Sequence, residues 1–169
     1  GLVLDATTGG ITGTNFVYAD KTGRIAYIYN ALFPDRKPGF DYTKVLPGDI
    51  SAPVWTGPVS FDRYPKVVSP ASGFVQNANN TPFLAAGPGS EIDPASQSPY
   101  LGIELGMTNR GLMGTGLMMN DSSITPEELL AIKMDTRYAK SSWVKSWMDS
   151  LLAVDTKGDA KLGEAQKLL

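Results

Sequence analysis

Hydrophobic positions gather early in two short runs, Asn15-Phe-Val-Tyr-Ala-Asp20 and Arg24-Ile-Ala-Tyr-Ile-Tyr29, separated by Lys21-Thr-Gly23. Aromatic and β-branched residues flanking a glycine-containing turn predict a β-hairpin. Phe16 and Tyr18 fall on one face of the first run, Val17 and Ala19 on the other. Both faces are largely apolar, so the hairpin is expected to be covered on both sides within a layered structure. From Phe33 to Pro70, proline and glycine break the pattern repeatedly, with turns expected at Pro34-Asp35 and Pro47-Gly48. The same stretch carries Phe40, Tyr42, Trp55, Phe61 and Tyr64. Aromatics at that density predict a long loop packed onto the body of the protein. Gly73-Phe-Val-Gln-Asn77 then reads as a short strand that ends in the turn sequence Ala78-Asn-Asn-Thr-Pro82.

Further along, the spacing changes. Phe83 to Pro99 is small, polar and proline-rich and reads as a surface excursion. Thr125-Pro-Glu-Glu128 marks a helix start, with threonine as N-cap, proline at the first helical position and glutamate at the third. Leu129, Leu130, Ile132 and Met134 follow it. Trp143, Trp147 and Leu151 recur at helical spacing and predict an apolar stripe that belongs to a core. Asp159 is placed to cap a last helix bearing Leu162, Ala165 and Leu169. The order is strands first and helices last, an α+β pattern: 1–82 as hairpin, aromatic loop and Asn-Asn turn, 83–124 as a loop and helix excursion, and 125–169 as helical. Neither end reads as a natural terminus, so the chain is expected to be an internal piece of a longer protein.

Composition narrows the chemistry. The 169 residues carry a net charge of −2 with no clustering, which points away from nucleic acid and anionic membrane surfaces. No apolar run reaches membrane-spanning length. There is no cysteine and no histidine. Disulfides, thiolate metal sites, a Ser-His-Asp triad, a Cys-His pair and a His-liganded zinc therefore cannot be built from these residues alone. Gly111, Gly114 and Gly116 lack the strand–glycine–helix–lysine context of a phosphate loop.

The string Asn15-Phe-Val-Tyr-Ala-Asp-Lys-Thr-Gly-Arg-Ile-Ala-Tyr27 resembles a segment of the penicillin amidase family. The resemblance continues through Phe33-Pro-Asp-Arg36, Gly39-Phe-Asp41, Trp55-Thr-Gly57, Pro65-Lys-Val67 and Pro70-Ala-Ser-Gly73. It extends to Asn77-Ala-Asn-Asn-Thr-Pro82, Asn109-Arg110 and the helix after Thr125. Each match alone is weak; their order along the chain makes the set specific. The family implies an αββα N-terminal-nucleophile hydrolase sandwich, a periplasmic or secreted location, and a precursor that cuts itself to expose an N-terminal serine. That serine's own α-amine serves as base, and an α-amine titrating near pH ~7.7 needs no histidine. Residue 1 is glycine, and the family's nucleophile lies upstream of the hairpin. The resemblance therefore implies a stretch of the catalytic β-subunit that is inactive alone. Its partners would be the rest of that subunit, the α-subunit and a small acyl amide.

On that resemblance Asn79 matches the asparagine whose side-chain amide helps form the oxyanion hole. Arg110 matches an arginine that supports the site. Asn77 and Asn80 are expected to hold the turn through side-chain–backbone bonds, and Asp20 to belong to the hairpin turn. No cofactor is required. In some family members the loop at Asp41 runs close to a structural calcium, held by a backbone carbonyl near Tyr42 and a carboxylate such as Glu91 or Asp93. A close variant of the activity is N-acyl-homoserine lactone acylase. Readings of another class are a structural module and an aromatic-lined carbohydrate binder centred on Trp55.

Overall fold

In a computed structural model, described here for residues 13–168, the chain divides after Gly106 into two compact units. The first unit is built on a three-stranded antiparallel sheet in the order β1-β2-β3, with β1 at Thr14–Ala19, β2 at Ile25–Asn30 and β3 at Lys66–Val68. The hairpin falls where the alternation placed it, with Asn15 opposite Tyr29 and Val17 opposite Tyr27. Asp20 closes the turn. Its Oδ1 accepts hydrogen bonds from the Thr22 hydroxyl (2.6 Å), the Thr22 amide (2.8 Å) and the Arg24 amide (3.1 Å). The Thr22 hydroxyl, with these amides, lowers the Asp20 carboxyl from its ordinary 3.8 to about 2. A lowered folded-state value stabilises the turn above pH 3.8, and the contribution is lost as pH falls toward about 2. Amide exchange at Gly23 and Arg24 is accordingly expected to quicken through that window in the protein, and an Asp20→Asn variant to lack the step.

Central β2 is covered on both faces: Ala26, Tyr27 and Ile28 are all buried. The edge strand β1 is not, and here the structure departs from the expectation of two covered faces: Val17 is 59% exposed. The third strand lies in the proline-rich stretch that reads as loop. Its three residues sit between Pro65 and Ser69, too few for alternation to register, and they are recruited by pairing with β2. Conversely, Gly73–Asn77 is not a strand. It makes one isolated bridge, Val75 to Ala86, because the opposing chain turns into a 3-10 helix at Pro82–Leu84 and offers no ladder.

The long loop does pack down, but selectively. Phe33, Val59, Tyr64 and Leu101 form a core cluster, with Phe61 against it. The Phe33 and Tyr64 rings meet edge to face at 5.2 Å. Trp55 stays 48% exposed. The start of the supposed surface excursion is also interior: Phe83, Ala85 and Ala86 are buried. A side chain at Gly87 would meet the Phe74 ring at 2.8 Å, so the small residues that read as solvent-facing there serve close packing instead.

The second unit holds four helices: α1 at Asn109–Met119, α2 at Pro126–Lys133, α3 at Trp143–Leu152 and α4 at Ala160–Lys167. Gly111, Gly114 and Gly116 lie within α1. Thr125 and Glu128 form the full capping box that the sequence predicts, and Asp159 caps α4 through the Lys161 and Leu162 amides. Gln166 Nε2 donates to the Leu151 and Val154 carbonyls (2.9 and 2.8 Å), tying α4 to the end of α3. The Trp143/Trp147/Leu151 stripe is not core in this chain: Trp143 is 70% and Trp147 65% exposed. Periodicity reports which face needs cover, not whether cover is present. With that face and β1 bare, the isolated chain is expected to self-associate, because unpaired strand edges and apolar patches favour contact between copies. Sedimentation velocity checks this: the weight-average mass should rise with concentration, and a monomer throughout would contradict it.

Candidate functional site

The Asn-rich turn sits against the buried side of the hairpin. Tyr27 is fully buried, and its hydroxyl donates to Asn15 Oδ1 (2.8 Å). Asn15 Nδ2 donates to Asn77 Oδ1 (2.9 Å). Asn77 Nδ2 donates back to the Tyr27 oxygen (3.3 Å) and to the Asn80 carbonyl (3.2 Å). Burial, and then the neighbouring Tyr29, push the Tyr27 phenol well above its usual range. It therefore remains a protonated donor at neutral pH.

Two further bonds shape the turn. The Asn79 amide donates to Asn77 Oδ1 (3.0 Å) and the Ala78 amide to Asn80 Oδ1 (2.9 Å). Asn77 and Asn80 thus hold the turn as their position predicts. Asn79 itself takes φ +59°, the left-handed region that asparagine tolerates better than most side chains. On the exit side, the Thr81 amide donates to the Gly106 carbonyl (3.1 Å). Thr81 also caps the Pro82–Leu84 turn through the Phe83 amide, and Pro82 is buried. The outcome is a rigid support carrying one exposed asparagine.

Beside Asn79 lies a small cavity of about 220 Å³, lined by Asn15, Tyr29, Asn79, Asn80, Thr81, Glu104 and Gly106. It is large enough for a carbonyl group and its immediate substituents, and its walls are predominantly amide, hydroxyl and carboxylate. Asn15, Tyr27 and Glu104 are the residues that the sequence alone leaves unmarked. For Asn15 and Tyr27 the hairpin sequence gives no distinguishing signal, since Thr14, Tyr18, Tyr29 and Asn30 also bring polar groups to its strands. Glu104 carries none either.

Arg110 belongs to the other unit, where it occupies the exposed first turn of α1. Thr108 caps that turn through the Gly111 amide (3.1 Å). The neighbouring Asn109 accepts from the Ala139 amide (2.8 Å) and donates to the Arg137 carbonyl (3.0 Å). The backbone from which Arg110 projects is therefore fixed at both ends.

Asp20 serves the hairpin turn, as described. Asp41 Oδ1 accepts from the Thr43 amide and hydroxyl (3.0 and 2.7 Å), and the Tyr42 hydroxyl donates to the Pro53 carbonyl (3.0 Å). Asp93 caps a 3-10 turn through the Ala95 amide. Glu91 and Asp93 both line a cavity with Phe83 and Leu105. Among the described residues no three metal-ligating side chains are gathered. Asp41 and Asp93 each use one carboxylate oxygen in their own turns.

Together these features describe an α+β segment that presents Asn79, on a turn held by Asn77 and Asn80, beside a polar cavity. The sequence profile of the penicillin amidase family matches residues 5–169, and the chain belongs to that family. Penicillin G acylase of Escherichia coli is 40% identical over 68 residues, which is 40% of this chain and 8% of that protein. The solved structure of a thermostable penicillin G acylase from Alcaligenes faecalis superposes with a TM-score of 0.60 at 23% identity, covering 95% of this chain and 27% of the other. The chain therefore spans only a minor part of the length of either relative, and at that identity the structural match speaks to the fold.

Proposed function

We propose that this chain forms part of an amidohydrolase that cleaves the amide bond of N-acylated small molecules of the penicillin type, and that Asn79 donates a hydrogen bond to the oxyanion. The observation that carries the proposal is the braced Asn79 beside a polar cavity, in a member of the penicillin amidase family. Attack on the amide carbon turns the carbonyl oxygen negative. A donor held in place before the reaction stabilises that charge without reorganising. The nucleophile in this reading is an N-terminal serine outside the described residues, released by self-cleavage, with its α-amine as base. The three-stranded sheet is then one edge of the αββα sandwich. The bare faces of β1 and α3 are covered by the rest of the β-subunit and by the α-subunit. A periplasmic or secreted location belongs to the same reading.

Arg110 is assigned a supporting role, orienting the catalytic amine or the substrate through its planar guanidinium. Action on N-acyl-homoserine lactones is a variant of the same chemistry, distinguished by the acyl pocket. The carbohydrate-binder alternative keeps its support in the exposed Trp55 and in Phe40, Tyr42 and Tyr100, which line a separate cavity, while Tyr64 is interior. The test is hydrolysis by the complete protein containing this chain: release of a chromogenic amine from a phenylacetyl or longer acyl amide supports the reading, and its absence from correctly processed protein refutes it.

A further inference from the structure

We infer that Tyr27, Asn15 and Asn77 act as a positioning unit for Asn79, and that their hydrogen-bonded ring sets the rate of the chemical step through the geometry of that one donor. The inference rests on the oxyanion role proposed for Asn79.

The ring has a direction. The Tyr27 hydroxyl donates to Asn15, Asn15 donates to Asn77, and Asn77 donates back to Tyr27. Asn77 is its saturated member. Its two N–H hydrogens go to the Tyr27 oxygen and the Asn80 carbonyl, and its Oδ1 accepts from Asn15 Nδ2 and the Asn79 amide. An asparagine amide offers two donors and two acceptor lone pairs, so all four are used. Turning this amide over would set its NH₂ against two donors, the Asn15 NH₂ and the Asn79 N–H. The ring thus forces an oxygen, not a nitrogen, toward the Asn79 backbone. That contact helps hold Asn79 in the left-handed conformation at φ +59°, which decides where its side chain leaves the turn.

Tyr27 is fully interior and sits on the central strand, so the ring is anchored to the strand that is paired on both sides. Removing the phenolic oxygen leaves Asn15 and Asn77 each short of a partner and frees the Asn15 amide to turn over, which loosens the bond from Asn15 that helps hold the Asn77 oxygen toward Asn79. A donor displaced by a fraction of an ångström still binds substrate, but meets the oxyanion badly.

The experiment uses the complete, processed enzyme and a double-mutant cycle. Tyr27→Phe is expected to lower kcat roughly tenfold while KM stays within about twofold. In an Asn79→Ala background the same substitution should cost nothing further, because the group it acts through is gone. Asn77→Asp, which keeps an acceptor for the Asn79 amide, should retain more kcat than Asn77→Ala. If the Tyr27 and Asn79 effects multiply, or if KM moves as much as kcat, Tyr27 is an ordinary structural residue and the inference falls alone. If Asn79→Ala leaves kcat intact, the oxyanion reading falls first and takes the inference with it. Should Tyr27→Phe fail to fold, Asn77→Ala combined with Asn79→Ala gives the same cycle with the same criterion.

Discussion

Incubated alone with a chromogenic phenylacetyl amide, the 169-residue chain is expected to give no turnover above a heat-denatured control. Amide hydrolysis at neutral pH needs a nucleophile paired with a base. The chain has no histidine and no cysteine, and a serine or threonine hydroxyl is a weak nucleophile until a base activates it. No lysine lines the cavity at Asn79, and its one carboxylate is that of Glu104. What the chain supplies is a donor for charge that something else must generate. Loss of the nucleophile from a serine hydrolase costs on the order of 10⁶ in kcat, which places residual turnover below detection. Release of the amine by the purified chain would mean that the nucleophile lies within it and that the division of labour proposed above is wrong.

The second large effect is expected at Asn79 in the complete enzyme. Asn79→Ala should lower kcat by roughly 10²–10³, the cost of one lost oxyanion donor. The fold should persist at a cost of about 1 kcal/mol, because alanine tolerates the left-handed φ of +59° less well than asparagine does. Asn79 is exposed, and the bonds that hold the turn run through the side chains of Asn77 and Asn80. KM should change little, since the ground-state carbonyl gains less than the oxyanion from the same N–H. Self-cleavage of the precursor passes through a similar tetrahedral oxyanion, so the Asn79→Ala precursor should also process slowly. Gel analysis of the precursor-to-subunit ratio over time measures this separately from turnover. Normal processing with near-wild-type kcat would return Asn79 to the role of turn residue.

How far the sequence reached depends on which forces are local. The β1–β2 hairpin, the Thr125–Glu128 capping box and the Asp159 cap were legible because each is decided within a few residues, by alternation or by a side chain meeting the next amide. Asn77 and Asn80 were legible as turn holders for the same reason. β3 was not: its Lys66–Val68 run is defined by β2 lying beside it. Gly73–Asn77 has strand composition yet stays unpaired except at Val75, because its neighbour coils. The Trp143/Trp147 stripe was legible as a periodicity and misread as a core, since burial depends on a partner surface the pattern does not name. In the candidate site, Asn79 was marked by resemblance alone. Its bracing by Tyr27 and Asn15 spans 50 residues and more of sequence and emerges only when the chain folds.

The most direct measurement compares two ligands on the processed Asn79→Ala and wild-type enzymes: a boronic acid whose tetrahedral adduct mimics the oxyanion, and the product carboxylic acid of the same acyl group. If Asn79 donates to the oxyanion, the boronate inhibition constant should rise by about the factor by which kcat/KM falls, roughly 10²–10³, while the product acid binds as before. Equal weakening of both ligands, or no change in either, would contradict the oxyanion assignment.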